Sequence, residues 1–317
     1  MDGVNGMYPL RFRFILMTVV LSLEALGPGA GGHPPPAQPL PTQGNVSYGP
    51  HERQVLDFYQ ARTQLDQATP LLFFVHGGGW MTGDKANPDF LARCLDSGIS
   101  VVSINYRFLP DATAAGVYPP VKACLDDTAR ALQFVRVKAP EWRIDPQRIA
   151  ACGGSAGGFM ALWLAFHPDR AEPGSSDPVA QQSTRVRCAL AFVPQTTLDP
   201  KQVREWIPNS DYRLHAFGLA NMEEFLTKRD ELMPWINQFS PYALADAGDP
   251  PVLLFYDHPP ALGQPSADPP HSANYGAGLV EKLKAVGVEH EINCNDDDSR
   301  MKYPDLFGFF LANLMGK

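Results

Sequence analysis

Ser155 lies at the centre of the pattern Gly-Gly-Ser-Ala-Gly, residues 153–157. An apolar run from Arg148 to Cys152 precedes the pattern, and a helical pattern follows it through Trp163. A strand that turns sharply into a helix exposes the serine and leaves no room for side chains two positions away, so glycine suits those positions. Five-residue patterns of this kind also arise by chance, but strand, turn and helix together predict a serine nucleophile.

A second glycine-rich motif, His-Gly-Gly-Gly-Trp at residues 76–80, follows the apolar run Leu71 to Val75. Glycines allow backbone N–H groups to approach a negatively charged oxygen. We therefore expect Gly78 and Gly79 to donate from this loop, with the N–H of Ala156 completing an oxyanion hole. A turn of purely structural use is the alternative, which the presence of the serine motif disfavours.

With these two motifs the chain resembles the α/β-hydrolase superfamily, and within it the HGGGW-type carboxylesterases and feruloyl-esterase-like (BD-FAE-like) esterases. The loop continues as Met-Thr-Gly-Asp-Lys at residues 81–85, and Asn-Tyr-Arg at residues 105–107 fits the same family. The resemblance covers roughly residues 45 to 317. It implies an α/β-hydrolase fold and triad residues in the order serine, acid, histidine.

The resemblance places the acid after the strand that matches Pro251 to Tyr256. Asp268, in the sequence Ala-Asp-Pro-Pro, lies between that strand and a predicted helix from Ser272 to Val286, and it is our candidate. Asp257, at the end of the strand itself, is the competitor. An Asp-Pro-Pro sequence also suits a helix N-cap, which is the structural alternative for Asp268.

The base is the missing part, and a serine hydroxyl needs one to take its proton. The resemblance places a histidine after the strand matching Val288 to Asn293, but residues 295–302 contain none. The remaining candidates are His258, His271 and His290. We interpret each as a surface or satisfied structural histidine, because a base needs both reach and the right ring orientation.

Three other groups near the motifs have alternative interpretations. We assign His76 to holding the glycine loop rather than to acting as the base. The aspartates at residues 296–298 are interpreted as a solvated loop, with calcium binding as the alternative. Lys302 would need burial to act as a base, since a solvated lysine is protonated at neutral pH. We expect no metal and no cofactor.

The chain from about residue 45 alternates short β-branched or aromatic runs with longer helical patterns. This alternation predicts an α/β fold with a mostly parallel sheet and helices on both faces. Helices are expected from Val121 through Val135 and from the serine motif through Trp163. Residues 199–245 interrupt the rhythm and are interpreted as an inserted lid, the alternative being an ordinary long excursion with its own packing. The predicted strands are Leu71 to Val75, Ile99 to Asn105, Arg148 to Cys152, Cys188 to Val193, Pro251 to Tyr256 and Val288 to Asn293.

The N-terminal residues follow the order of a secretory signal. Arg11 and Arg13 precede an apolar stretch from Phe14 to Leu23, which is too short to span a bilayer. We therefore expect residues 1–32 to be a signal peptide that exports the protein, and the proline-rich residues 33–44 to be a linker. An apolar N-terminal helix on a cytosolic protein is the alternative.

The composition limits the classes of molecule that this chain is expected to bind. The 317 residues carry a formal net charge of −8 and no run of lysine or arginine longer than two, so no nucleic-acid-binding surface is expected. The five cysteines lack the CxxC spacing of zinc or redox sites, and an odd number leaves at least one free thiol. The expected partner is a small-molecule ester substrate or ligand, without a stable membrane span.

Two functions follow from this combination of motifs. The first is a serine carboxylesterase that cleaves small or carbohydrate-linked esters through an acyl-serine intermediate, although the C-terminal histidine of the family is missing. The second is an impaired or inactive member of the fold that binds a ligand or a partner protein, since the glycines of the serine turn are also needed for folding. The retained serine and glycine loop favour the first.

Overall fold

The computed structural model describes residues 38–62, 67–212, 214–294 and 301–316. These residues belong to one compact unit that begins at Gln38. The strands are β1 Gln43–Ser47, β2 Val55–Tyr59, β3 Thr69–Val75, β4 Ser100–Ile104, β5 Ile144–Gly154, β6 Cys188–Phe192, β7 Val252–Phe255 and β8 His290–Asn293. The α-helices are α1 Leu91–Asp96, α2 Leu109–Ala114, α3 Val121–Trp142, α4 Ala156–Phe166, α5 Pro200–Trp206, α6 Met222–Thr227, α7 Arg229–Phe239, α8 Pro241–Leu244, α9 Asn274–Val286 and α10 Leu306–Phe310. Short 3₁₀ segments lie at Leu214–Phe217 and Pro269–His271, and Leu311–Met315 forms a π-helical turn.

The strands form one sheet in the order β1-β2-β4-β3-β5-β6-β7-β8. The six strands from β3 to β8 run parallel, whereas β2 is antiparallel to both of its neighbours. The predicted α/β fold with a mostly parallel sheet is therefore confirmed, and each of the six predicted strands overlaps an observed one. The antiparallel pair β1 and β2 at one edge of the sheet was not predicted. β1 begins at Gln43, inside the predicted linker.

Helices cover both faces of the sheet, as predicted. Along β3, Leu71 and Phe73 pack on one face, whereas Leu72 and Phe74 pack on the other, because successive strand residues point to opposite sides. The first face is covered by α3, α4 and α9, and the second by α1 and α10. Every residue of β3 is buried, which explains its uninterrupted apolar sequence.

The segment 199–245, predicted to be a lid, forms α5 to α8 and a 3₁₀ turn between β6 and β7. It is packed against the rest of the domain through Trp206, whose ring stands 2.5 Å from where a Cβ on Gly278 of α9 would lie. Trp206 also contacts Tyr242 of α8, with ring centroids 5.3 Å apart. The segment thus has its own packing, and its role as a lid stays a prediction.

The predicted signal peptide, residues 33–37 of the linker and residues 295–300 lie outside the described residues. Within the described ranges, no helix is long and apolar enough to cross a membrane. Four of the five cysteines, Cys94, Cys124, Cys152 and Cys188, are buried free thiols, and Cys294 is partly buried.

A buried ion pair fastens the loop after β4 to α3. Arg107 donates from Nη2 and Nε to the two carboxylate oxygens of Asp127 over 2.6 to 2.9 Å, and its backbone N–H donates to the same group. Gln54 Nε2 donates a further bond of 2.7 Å. The Asp127 side chain is only 1% exposed, so these donors have no replacement from water.

Replacing Asp127 with Asn should lower the free energy of unfolding by about 3 kcal/mol, because the Arg107 charge would be left partly buried without its counter-charge. Asp177→Asn is the matched control, since Asp177 pairs with Arg130 at the surface and should contribute little. Urea unfolding of both variants measures the difference. Equal stabilities for the two variants would contradict this account.

Candidate active site

Ser155 lies between the last residue of β5, Gly154, and the first residue of α4, Ala156. Its backbone has φ 52° and ψ −116°, a conformation that side-chain-bearing residues rarely adopt. Two hydrogen bonds hold it there: the Ser155 N–H donates to the Phe192 carbonyl over 2.8 Å, and the Ser155 carbonyl accepts from the Phe159 N–H over 2.9 Å. The neighbouring strand and the new helix therefore sustain the strained turn.

The flanking glycines make room for β3. A Cβ at Gly153 would lie 2.4 Å from the Val75 carbonyl oxygen, and one at Gly157 would lie 2.0 Å from the same atom. A Cβ at Gly154 would meet nothing closer than 3.9 Å. The need for glycine thus comes chiefly from the adjacent strand, at a point where two parallel strands end side by side.

The glycine loop lies directly against the serine turn. A Cβ at Gly77 would be 2.7 Å from the Gly154 carbonyl oxygen and 3.6 Å from Ser155 Cβ. Gly78 has φ 101° and Gly79 has φ 61°, and the Gly78 carbonyl accepts from the N–H groups of the following turn. In the described part of the chain, the N–H groups of Gly78 and Gly79 donate to no protein acceptor.

Ala156 supplies a third N–H at this edge of the sheet. As the first residue of α4 it has no acceptor four residues earlier within the helix. The three predicted donors therefore belong to two segments that meet beside Ser155. Backbone N–H groups so arranged can bind a negatively charged oxygen.

His76 supports the glycine loop, as assigned from the sequence. Its ring stacks on Tyr106 with centroids 4.4 Å apart, and its Nδ1 donates to the Gly77 carbonyl over 2.7 Å. Tyr106 in turn donates from its hydroxyl to the His76 carbonyl over 3.0 Å. Burial lowers the pKa of His76 to about 4, and Arg53 Nη2, 3.5 Å from Nε2, favours the same neutral form.

Asn105 of the Asn-Tyr-Arg motif holds the continuation of this loop. Its Oδ1 accepts from the Lys85 N–H over 2.6 Å, and its Nδ2 donates to Asp84 over 2.7 Å. Lys85 also pairs with Asp57 of β2 over 3.1 Å. The residues that follow β4 thus brace the loop that follows β3.

His271 brings an imidazole to the serine. Its Nε2 lies 3.0 Å from Ser155 Oγ, and its Nδ1 lies 2.8 Å from Asp268 Oδ2. The His271 side chain is 28% exposed and that of Asp268 is 49% exposed. An imidazole in this position can accept the serine proton, and a carboxylate on its other nitrogen holds the required tautomer.

This geometry corrects the interpretation of His271 as a surface or satisfied structural histidine. Asp268 precedes, and His271 ends, the single 3₁₀ turn Pro269–His271. Residues three apart eclipse one another in a 3₁₀ helix, so the two side chains lie on the same side. The Asp268 side chain makes no N-cap hydrogen bond, so the alternative role as a helix cap is not observed.

The other candidates lie elsewhere among the described residues. Asp257 and His258 are exposed side by side after β7, whereas the described side chains hydrogen-bonded to Ser155 Oγ are those of His271 and Gln195. His290 Nδ1 donates to the Val288 carbonyl over 2.7 Å on β8. Lys302 is 65% exposed and paired with Glu289, which raises the pKa of its ammonium further.

Two side chains at this site were not found from the sequence. Gln195 follows β6 and places its Nε2 3.5 Å from Ser155 Oγ. Tyr212 belongs to the inserted segment, and its hydroxyl lies 2.9 Å from where a Cβ on Gly79 would be. The position of Gln195 after a parallel strand was the available signal, since ligand-binding residues gather at the carboxyl ends of such strands.

The aspartates at 296–298, considered for calcium, lie outside the described residues. Among the residues that the structure does describe, no group of three or more His, Cys, Asp or Glu side chains could hold a metal ion.

The model of the BD-FAE family matches residues 56–259. The chain belongs to this family. The matched range includes the glycine loop and the serine turn but ends before Asp268 and His271. The pair that completes the hydrogen-bonded chain to Ser155 therefore lies beyond the family match.

The relatives of this BD-FAE chain include two proteins of Mycobacterium tuberculosis. It is 36% identical over 157 residues to the probable carboxylic ester hydrolase LipM, covering 47% of this chain and 33% of LipM. It is 31% identical over 194 residues to the carboxylic ester hydrolase LipN, covering 58% of this chain and 43% of LipN. The chain thus spans less than half the length of these relatives.

Solved structures share the fold. A truncated carbohydrate esterase from gut microbiota superposes with a TM-score of 0.65 at 18% identity, covering 89% of this chain and 99% of that one. Thermophilic esterase Est2 of Thermogutta terrifontis gives a TM-score of 0.57 at 26% identity, with 78% and 79% covered. The α/β-hydrolase fold implied by the sequence motifs is confirmed.

Gly153→Ala should destabilise the BD-FAE domain by about 1–3 kcal/mol or more, because the added methyl collides with the Val75 carbonyl. Gly154→Ala is the neighbouring control and should be tolerated, since its methyl would lie 3.9 Å from the nearest atom, Phe192 Cβ, which is an ordinary van der Waals distance. Thermal unfolding of the two variants measures this contrast. A well-folded Gly153→Ala protein with an unchanged midpoint would contradict it.

Stability should fall as the pH falls from 6.5 to about 4. Folding lowers the pKa of His76 from 6.5 to about 4, so the unfolded chain binds this proton first and the neutral folded form is favoured above pH 6.5. The loss amounts to roughly 3 kcal/mol at the acid end. Urea unfolding across this range, compared with His76→Gln, isolates the contribution. The same pH slope in both proteins would refute it.

Proposed function

We propose that this protein is a serine carboxylesterase in which Ser155 is the nucleophile, His271 the base and Asp268 the acid. The observation that carries the proposal is the continuous hydrogen-bonded chain from Ser155 Oγ through the His271 ring to Asp268, with heavy-atom distances of 3.0 and 2.8 Å. The names of the relatives LipM and LipN support ester hydrolysis. Family membership supports the same class.

In the first half of the reaction, Ser155 Oγ attacks the ester carbonyl carbon while its proton moves to His271 Nε2. The carbonyl oxygen becomes an oxyanion, which the N–H groups of Gly78, Gly79 and Ala156 bind. The tetrahedral species then collapses: the bond to the alcohol oxygen breaks, and that oxygen takes the proton from His271. The alcohol leaves and an acyl group stays on Ser155.

In the second half, water attacks the acyl carbon and gives its proton to His271. The oxyanion forms again in the same hole, and the bond to Ser155 Oγ breaks as that oxygen takes the proton back from His271. The carboxylic acid is released and the enzyme is restored. Asp268 keeps the Nδ1 proton in place and stabilises the imidazolium that forms in each half.

The substrate class we propose is small or carbohydrate-linked carboxylic esters. Tyr212 stands over Gly79 from the inserted segment, so it limits the space beside the oxyanion loop. Such a restriction favours a short acyl group. The carbohydrate-linked alcohol rests on the family resemblance.

Ser155→Ala and His271→Ala should each lower turnover of p-nitrophenyl acetate by about 10⁴- to 10⁶-fold, because proton transfer from the serine would be lost. A fluorophosphonate should label the wild-type protein at Ser155 and fail to label Ser155→Ala. His290→Gln is the matched control and should retain activity, since the His290 ring bonds through Nδ1 to the Val288 carbonyl just before β8.

Two results would contradict this assignment, each in a different part. A wild-type protein that neither hydrolyses the ester nor reacts with the fluorophosphonate would overturn the esterase proposal and favour the ligand-binding alternative. Full activity in His271→Ala together with inactive Ser155→Ala would retain a serine esterase but remove His271 as its base.

A further inference from the structure

Gln195 occupies a rigid segment between β6 and the inserted helices. On one side of it, the Pro194 carbonyl accepts from the Tyr256 hydroxyl over 2.7 Å. On the other side, the Thr196 hydroxyl donates to the Tyr275 carbonyl over 2.7 Å, and the Thr196 carbonyl accepts from the Tyr242 N–H over 2.8 Å. The two residues that flank Gln195 are therefore bonded to Tyr256, which directly follows β7, and to α8 and α9.

The Gln195 side chain reaches both halves of the proposed site. Its Nε2 donates to the carbonyl of Pro270, the residue before His271, and lies 3.5 Å from Ser155 Oγ. The residue is fully buried. The amino group of Gln195 therefore faces both the turn that carries His271 and the Ser155 hydroxyl, which His271 is proposed to deprotonate.

The orientation of the Gln195 carboxamide follows from the acceptor that it faces. Gln195 Oε1 is buried and has no hydrogen-bond partner among the described residues. Turning the amide over would place this oxygen against the Pro270 carbonyl, where two acceptors would repel one another. The amino group is therefore the end of the carboxamide that bonds to the Pro270 carbonyl.

The turn that carries His271 has few other internal supports. None of its residues, Pro269 to His271, is buried. Its C-terminal side is fixed by Asn274, whose Nδ2 donates to the Trp206 and Ala261 carbonyls over 2.7 and 2.9 Å. On the side that faces Ser155, the hydrogen bond from Gln195 Nε2 to the Pro270 carbonyl connects the backbone of the turn to the rest of the domain.

We propose that Gln195 is a positioning residue for the esterase reaction. Its amino group holds the Pro270 carbonyl so that the His271 ring reaches Ser155. It also approaches a lone pair of Ser155 Oγ, which directs the hydroxyl proton toward His271 Nε2. This proposal rests on the function proposed above.

Gln195→Met keeps the length of the side chain and removes its donors. We expect kcat for p-nitrophenyl acetate to fall about 10- to 100-fold, the size of effect that misplacing a catalytic group by about 1 Å produces. KM should change less than kcat, because the amide does not bind the substrate. Gln195→Glu has the same shape but loses its donor when the carboxyl is ionised, so it should show at least the same loss at a pH where that carboxyl is ionised.

Gln133→Met is the matched control. Gln133 is also buried, and its Nε2 donates to the carbonyls of Arg170, Ala180 and Gln182, away from Ser155. This variant should lose stability but retain kcat. Equal kcat in wild type, Gln195→Met and Gln195→Glu would overturn the proposal, and so would an equal fall in kcat for Gln133→Met.

Amide hydrogen exchange separates this inference from the esterase proposal, because it needs no activity. Residues 266–272 should exchange faster in Gln195→Met than in wild type, and Gln133→Met should leave their exchange unchanged. Unchanged exchange in Gln195→Met would overturn the positioning role even if the protein hydrolyses esters. Faster exchange in Gln195→Met, found together with a wild-type protein that does not hydrolyse esters, would retain the contact between Gln195 and the turn and overturn the esterase proposal.

Discussion

The site depends on the close approach of β3 to the turn after β5. The Val75 carbonyl oxygen stands where any side chain at Gly153 or Gly157 would have to go. This contact lets the two strands end side by side, so the loop after one strand lies against the serine that follows the other. The strained backbone of Ser155 and the approach of Gly77 both follow from it. The two glycine-framed motifs are therefore one packing unit rather than two separate signals.

Asp268 and His271, the proposed acid and base, lie close together in the sequence. In the chain order serine, acid, histidine, the histidine is expected after the last strand, but here His271 follows Asp268 by three residues and precedes β8. One 3₁₀ turn therefore positions both side chains relative to Ser155. The orientation of the His271 ring then depends on the contacts between that turn and the rest of the domain, among them the bond from Gln195 to the Pro270 carbonyl.

Much of this arrangement could be predicted from the sequence, for physical reasons. Buried parallel strands such as β3 leave continuous apolar runs, and close backbone contacts leave glycines at constant spacing from the serine. The antiparallel pair β1 and β2 has a weaker sequence pattern, since β1 is the polar sequence Gln-Gly-Asn-Val-Ser and β2 contains Asp57. The role of His76 could be inferred because its loop is local in sequence.

The position of His271 could not be inferred in the same way. Its contact with Ser155 spans 116 residues and depends on the path of the loop between β7 and α9. Proline-rich loop sequence carries no periodicity from which such a path could be read, and the family expectation pointed to residues 295–302 instead. Gln195 was not predicted for a related reason. A single glutamine after a strand forms no recognisable motif, and the proposed role of Gln195 depends on its contact with the Pro270 carbonyl.

We propose that the imidazole of His271 accepts the proton of the Ser155 hydroxyl. A crystal structure of the protein after reaction with an ethyl fluorophosphonate tests this role. We expect phosphorus bonded to Ser155 Oγ, a phosphoryl oxygen about 3 Å from the N–H groups of Gly78, Gly79 and Ala156, and His271 Nε2 within hydrogen-bond distance of the adduct. An adduct on Ser155 with another histidine beside it, or no adduct on Ser155 at all, would contradict the account.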